Sequence, residues 1–318
     1  MQVIVATDHV GESFIDRLRN KFPQIEFLNL MDQNTIPEEF IMAEIFFGWP
    51  DAHQFLSLKN LKWIACPGMG IDKIVKYEEI LNSKVIITNS PGTHVNAMAD
   101  YAIGMMISLS HKFAENYIDQ QSKIWDTEKY NSKIVELSGK TLGIYGFGEI
   151  GKAIAKRAKG FDMEIIALDA EDKEIPDYVK SLLLNDQLDE LCKKSDYLVV
   201  TAPITENTRN SINNEQILYM KKGTFIIIVS RGGLVNEDAL YKNLISGHLG
   251  GAAIDATDIE PLPKDSKLWN IENLLISPHV SALSPELYER RRLIFEENLF
   301  RYINNKELNF VCDKKSFS

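Results

Sequence analysis

A chain of 318 residues, 45% hydrophobic and 25% charged, has ordinary globular composition and enough length for two domains, each with its own core. Its formal net charge of −10 argues against nucleic acid as a partner, because phosphates would be repelled. Cys66, Cys192 and Cys312 lie far apart with neither disulfide-framework nor metal-ligand spacing. The opening MQVIVATDHV has no signal-peptide character, and the longest apolar stretch, AMADYAIGMMISL, is interrupted by Asp100 and too short to span a bilayer. The expectation is a cytoplasmic protein with no metal and no membrane contact.

Strand-like and helix-like runs then alternate along the chain. QVIVAT (2–7), EIFFGW (44–49), KWIACP (62–67) and VIITNS (85–90) are apolar and rich in β-branched or aromatic residues, with a helical stretch at 12–22 between the first two. Residues 97–110 read as a long buried helix, and 111–138 as polar and less regular. A second series follows: strands at 141–146, 164–170, 197–203, 224–230, 251–257 and 274–279, with helices at 149–159, 187–194, 214–220 and 237–246. Such alternation predicts parallel sheets covered by helices on both faces, and six strands in the second series fit a complete dinucleotide-binding sheet. After Pro285 a further helix shows apolar positions at Leu287, Leu293, Ile294, Leu299 and Ile303. It is inferred to return to the first domain, so that the chain crosses twice and leaves a cleft. The predicted domains are 1–96 with 286–318, and 97–285.

The second series opens on GIYGFGEIG, which holds Gly146-x-Gly148-x-x-Gly151 between a strand and a helix, with Asp169 ending the next strand. Gly146 permits the tight turn, Gly148 lets the backbone approach a pyrophosphate, and Gly151 allows close packing of helix on sheet. The N–H groups of Glu149 and Ile150 open the helix toward the phosphates. Asp169 suits the ribose hydroxyls of NAD and opposes the additional phosphate of NADP, with Glu171 and Asp172 adding to the field and no cation beside it before Lys173.

Three later strands end on distinctive chemistry: Arg231 after TFIIIVS, Asp255 and Glu260 after GAAI, and His279 after LLISP. By itself ISPHVSALS fits either a proton carrier or a hydrogen-bonded loop residue. Beside an arginine and a carboxylate on the same edge of a sheet, the proton carrier is the better reading. The trio suits reduction of a 2-oxo acid: Arg231 grips the carboxylate, His279 protonates the carbonyl oxygen, and Glu260 orients the imidazole.

With these motifs in order, the chain resembles the D-isomer-specific 2-hydroxyacid dehydrogenases over nearly its whole length, through GIYGFGEIG with Asp169, TAPITENTRN, VSRGGLVNEDAL, GAAIDATDIEPLPKDSKLW and SPHVSALSPE. The resemblance implies a flavodoxin-like substrate domain and a Rossmann NAD-binding domain, both doubly wound. It makes Arg231, Glu260 and His279 catalytic, with Arg231 and His279 also touching cofactor and substrate. Asp255 would meet the nicotinamide amide, Thr201, Ala202 and Pro203 with Thr208 the adenosine, and Val229 and Ser230 the nicotinamide. CPGMGID resembles the loop whose amides bind the substrate carboxylate, which points to Met69 and Gly70. Asp100 stands where the family usually has Glu. Trp49, Met69, Met98, Tyr101 and Trp125 are candidates to shape the pocket. Glu260 speaks against the formate dehydrogenase branch, which carries glutamine there. The chain stops at Ser318, whereas the phosphoglycerate branch often has a further regulatory domain, so a short glyoxylate or hydroxypyruvate reductase-like branch is expected. The family forms homodimers, with residues 96–140 expected to supply much of the contact. The rival reading is a dinucleotide-sensing binding protein, as in corepressors of the same fold, with little catalysis.

Overall fold

The computed structural model of the chain describes residues 1–7, 11–30 and 35–317. It divides into two compact units, Met1–His94 with Ser284–Ser318, and Val95–Leu283. The first unit begins with β1 (Gln2–Ala6), α1 (Gly11–Lys21), β2 (Glu26–Asn29), β3 (Ile45–Gly48), α2 (Ala52–Ser57), β4 (Trp63–Ala65), α3 (Asp72–Val75), α4 (Glu78–Leu81) and β5 (Ile86–Thr88). Its strands are all parallel in the order β2-β1-β3-β4-β5, which is the flavodoxin order. β3 and β4 are buried throughout, as expected of strands covered on both faces, and read in the sequence as unbroken apolar runs. β2 was not foreseen. Its sequence EFLN is short and polar at both ends, and as an edge strand it buries only Phe27 fully.

The second unit contains α5 (Val95–Ser110), α6 (Phe113–Gln121), β6 (Thr141–Tyr145), α7 (Glu149–Ala158), β7 (Glu164–Asp169), β8 (Ser181–Leu184), α8 (Leu188–Lys194), β9 (Tyr197–Val200), α9 (Asn214–Tyr219), β10 (Thr224–Ile228), α10 (Glu237–Ile245), β11 (Leu249–Ile254) and β12 (Leu274–Ile276). The parallel sheet runs β12-β11-β10-β9-β6-β7-β8. It has seven strands where the sequence suggested six. The missing one, β8, is a four-residue outer strand behind a polar loop, and it fills the third place of the first βαβαβ half; the run LLIS becomes an additional seventh strand. The segment read as irregular, 111–138, contains α6, whose many polar residues hide its period. The order reverses between β6 and β9, the switch point at which doubly wound sheets bind ligands. α5 packs on α7, and Asp100 Oδ1 accepts from Arg157 Nε at 2.6 Å to join them, a role that the shorter acid fills.

α11 (Pro285–Ile303) is capped by Ser284, whose side chain accepts from the Leu287 N–H at 3.0 Å, with proline in the first turn. It belongs to the first unit, where Phe295 stacks on Phe47 with ring centroids 4.1 Å apart. The apolar spacing misplaced part of its inner face. Leu293 is exposed, while Glu296 and Asn298 are buried. Both polar groups are compensated: Glu296 pairs with Arg17 at 2.6 Å and Lys21 at 2.7 Å, and Asn298 exchanges hydrogen bonds with the Asn309 backbone.

Candidate active site

The glycine turn after β6 divides its work among three residues. Gly146 has φ +99°, and a Cβ there would lie 2.5 Å from the Ala202 nitrogen. A Cβ on Gly151 would lie 2.3 Å from the Gly146 carbonyl oxygen, so this glycine lets α7 sit against the turn. A Cβ on Gly148 would meet no atom within 4 Å. The open side of the turn is therefore at Gly148, where α7 starts and the N–H groups of Glu149, Ile150 and Gly151 lack intrahelical acceptors. An open, side-chain-free surface bordered by helix N–H donors fits a pyrophosphate.

Asp169 ends β7 beside this turn. Its Oδ2 accepts from the Phe147 N–H at 2.8 Å and its Oδ1 from the Glu171 N–H at 3.3 Å. Oδ1 also pairs with Lys173 Nζ at 2.9 Å, a contact that the sequence reading did not foresee because the loop turns back on itself. Burial opposes ionisation of Asp169 most strongly, but Lys173 and the two backbone donors together outweigh it, and its pKa lies below the usual carboxylate value.

Thr201, Ala202 and Pro203 follow β9 directly. Thr201 Oγ1 donates to the Gly146 carbonyl at 2.6 Å, which ties the two strand ends together. Thr208 Oγ1 donates to the Pro203 carbonyl at 2.7 Å and accepts from the Thr205 N–H at 2.8 Å, closing the loop that carries Pro203. Val229 and Ser230 are buried at the end of β10, and Ser230 Oγ donates to the Val200 carbonyl at 3.2 Å.

The remaining chemistry follows from register. Ile228, Ile254 and Ile276 are aligned on the neighbouring parallel strands β10, β11 and β12. Arg231, Asp255 and His279 come three, one and three residues beyond these positions, so all leave the same edge of the sheet. Two strand spacings separate the outer pair by roughly 10 Å of backbone, within reach of an arginine and an imidazole.

His279 and Glu260 are in direct contact: Nδ1 lies 3.1 Å from Oε1 and 3.0 Å from Oε2. Oε1 also accepts from the Thr257 N–H at 3.3 Å. Both side chains are almost half exposed, so the pair adds little stability, about 0–1 kcal/mol. What it does is fix the ring. With Nδ1 turned to the carboxylate, Nε2 is the nitrogen left to exchange a proton with a substrate.

His279 has φ +55°, a left-handed conformation uncommon for a side-chain-bearing residue. Asp255 holds it there. One carboxylate oxygen accepts from Ser277 Oγ at 2.6 Å and the Val280 N–H at 2.8 Å, the other from the Ser281 N–H at 2.9 Å. These bonds bracket His279 on both sides, and Ser277 in turn meets the Tyr101 hydroxyl. Asp255 is 2% exposed and uses most of its acceptor capacity inside this turn. Sequence reasoning missed Ser277 and Thr257. The serine stood in plain view next to Pro278, but nothing in its spacing showed that it bonds back to Asp255.

Arg231 is exposed, and its guanidinium donates to the Ser230 carbonyl at 2.9 Å. Among the described residues it has no carboxylate partner. A Cβ on the next residue, Gly232, would fall 2.1 Å from the Thr257 carbonyl oxygen. The Arg231 turn therefore lies against the backbone of the segment that carries Glu260.

In the first unit the loop 66–70 is tied down by its carbonyls. The Gly68 carbonyl accepts from the Ser90 N–H at 2.9 Å and the Met69 carbonyl from Asn89 Nδ2 at 2.8 Å. The N–H groups of Met69 and Gly70 have no acceptor among the described residues, so this loop offers amides. Trp49 packs on Gly68, where a Cβ would lie 3.2 Å from the indole. Cys66 lies beneath the loop, and burial pushes its thiol up to about 12, which leaves it inert. Of the other pocket candidates, Met98 is buried in the core beside α7, Tyr101 is bonded to Ser277, and Trp125 is 98% exposed.

Among the described residues no helix is long and apolar enough to cross a membrane, and no cluster of three or more His, Cys, Asp or Glu side chains is placed to hold a metal ion. Comparison with known proteins adds independent findings. The family model described as "D-isomer specific 2-hydroxyacid dehydrogenase, NAD binding domain" matches residues 103–281. A hydroxypyruvate reductase of Thermotoga maritima is 32% identical, the alignment covering 93% of this chain and 90% of that protein. A glyoxylate reductase of Thermococcus onnurineus is 32% identical over 95% of this chain and 93% of its own length. A crystal structure of a D-isomer specific 2-hydroxyacid dehydrogenase family protein from Aeromonas salmonicida superposes with a TM-score of 0.87 at 26% identity, covering 98% of this chain and 99% of that one.

Proposed function

The chain belongs to the D-isomer specific 2-hydroxyacid dehydrogenase family, and on that premise we propose how its own residues carry the reaction. It is an oxidoreductase that moves a hydride between a nicotinamide dinucleotide and a 2-hydroxy/2-oxo acid pair. When bound, the dinucleotide supplies or accepts that hydride. We assign its pyrophosphate to the Gly146–Gly151 turn with the N–H groups of Glu149 and Ile150, and its ribose to Asp169. Thr201, Ala202, Pro203 and Thr208 border the adenosine, and Val229, Ser230 and Asp255 the nicotinamide.

In reduction, Arg231 binds the 2-oxo acid through its carboxylate and polarises the adjoining carbonyl. Protonated His279 gives its Nε2 proton to the carbonyl oxygen, and Glu260 stabilises the charge and orientation of the ring. In oxidation, neutral His279 takes the hydroxyl proton. In the first unit, the N–H groups of Met69 and Gly70, which have no acceptor among the described residues, are candidate donors to a carboxylate. The observation that carries this reading is the Nδ1 contact between His279 and Glu260, which leaves Nε2 for the substrate. A corepressor-like binding protein has no need of that pair, or of an exposed arginine on the same edge of the sheet.

The favoured substrates are short 2-oxo acids such as glyoxylate and hydroxypyruvate, in line with the relatives above, and the favoured dinucleotide is NAD because of Asp169. The favoured assembly is a homodimer. Its support is the set of apolar side chains exposed on and after α6, including Phe113, Tyr117, Ile118, Ile124 and Trp125.

Initial rates of NADH and NADPH oxidation with glyoxylate, hydroxypyruvate, pyruvate and longer 2-oxo acids test the proposal. Turnover is expected to be fastest with NADH and a short acid. Tight NADH binding with no turnover on any acid would favour the dinucleotide sensor instead.

A further inference from the structure

We propose that Lys173 is a movable counter-ion that narrows the dinucleotide preference: it pairs with Asp169 when no 2′-phosphate is present and pairs with the phosphate when NADPH is offered. The inference rests on the assignment of Asp169 to the ribose. A lone carboxylate at that place both accepts from the ribose diol and repels a 2′-phosphate. Here the carboxylate is not alone. Lys173 Nζ lies 2.9 Å from Oδ1, and the two side chains are 28% and 15% exposed, so the charge of Asp169 is largely matched in a partly desolvated setting.

The acceptor count points the same way. A carboxylate has about four lone-pair sites. Oδ1 already receives Lys173 and the Glu171 N–H, and Oδ2 receives the Phe147 N–H. A ribose diol that takes both oxygens must therefore displace a donor. Of the three, two are backbone N–H groups fixed by the turn, and only the lysine sits on a flexible stem. Displacing Lys173 costs part of an ion pair when NADH binds. When NADPH binds, the released ammonium has a phosphate to receive it, a charge-assisted contact that recovers the loss. Glu171 and Asp172 stay in the background as exposed like charges, screened by salt. The selectivity of this chain for NADH is thus smaller than Asp169 by itself would impose.

The test uses the purified full chain, with dissociation constants by calorimetry for NADH, NADPH, 5′-ADP and 2′,5′-ADP beside the kcat/KM ratio for the two reduced dinucleotides. Lys173→Met is expected to weaken NADPH and 2′,5′-ADP by about tenfold and to leave NADH and 5′-ADP within about twofold. The loss for 2′,5′-ADP is expected to persist in an Asp169→Asn background and to shrink in high salt. An unchanged ratio in Lys173→Met, with NADH still bound and oxidised, overturns the inference alone. A loss that vanishes in the Asp169→Asn background overturns the direct phosphate contact. Failure of the wild-type chain to bind NADH at all would instead overturn the dinucleotide site on which the inference stands.

Discussion

The two halves of the seven-stranded sheet solve different problems with opposite means. On the side of β6, β7 and β8, the structure depends on what side chains are missing: Gly146, Gly148 and Gly151 keep atoms away so that the backbone turns, packs and leaves an open face. On the side of β10, β11 and β12, it depends on side chains held in place, with His279 kept left-handed by Asp255 and oriented by Glu260. On the proposed assignment, the pyrophosphate and ribose fall to one half and the proton to the other, with only the nicotinamide end of the dinucleotide reaching the β10 and β11 ends, so most of the binding energy and the proton transfer are expected to be separable.

The largest expected effect lies in the side-chain half. Arg231→Ala should lower kcat/KM for a 2-oxo acid by about 10²–10³, since on the proposed assignment it removes the cation that meets the carboxylate and the developing oxyanion. Fluorescence titration should show NADH affinity nearly unchanged; an equal loss of NADH binding would merge the two halves and break the comparison. Next come two substitutions in the glycine half that sharpen it. Gly146→Ala drives a Cβ to 2.5 Å from the Ala202 nitrogen and should destabilise the unliganded protein by about 1–3 kcal/mol in urea unfolding. Gly148→Ala meets nothing within 4 Å, so its unliganded stability should match wild type while NADH binds more weakly. Equal destabilisation by both would show that Gly148 is structural.

The smallest effect concerns acid. Because the folded pKa of Asp169 lies below its usual value, its contribution to stability is fully present above about pH 4 and is lost as pH falls through the folded value. Asp169→Asn should therefore lower stability at neutral pH slightly and flatten the acid limb of a pH series of unfolding curves. An acid limb identical to wild type would show that the Lys173 pairing contributes nothing.

Much of this was legible in the sequence because it is local. Buried parallel strands write themselves as apolar runs, the glycine spacing is set by one turn, and Arg231, Asp255 and His279 follow three strands whose adjacency a doubly wound sheet dictates. What escaped was either too short or too distant. β2 and β8 are four-residue edge strands with little apolar signal. The inner face of α11 was misread because Glu296 and Asn298 are buried with partners in other segments, which no helical period reveals. Lys173 sits only four residues from Asp169, yet its effect depends on a loop that brings it back. The bond between Ser277 and Asp255 joins residues on neighbouring strand ends that only the folded sheet brings together.

The separation of binding from proton transfer is tested most directly in His279→Ala, by measuring the NADH dissociation constant and the turnover number on the same preparation. The expected result is a dissociation constant within about twofold of wild type and turnover reduced by about 10² or more. Turnover close to wild type, or NADH affinity falling as far as turnover does, would refute the assignment of the proton to His279 apart from dinucleotide binding.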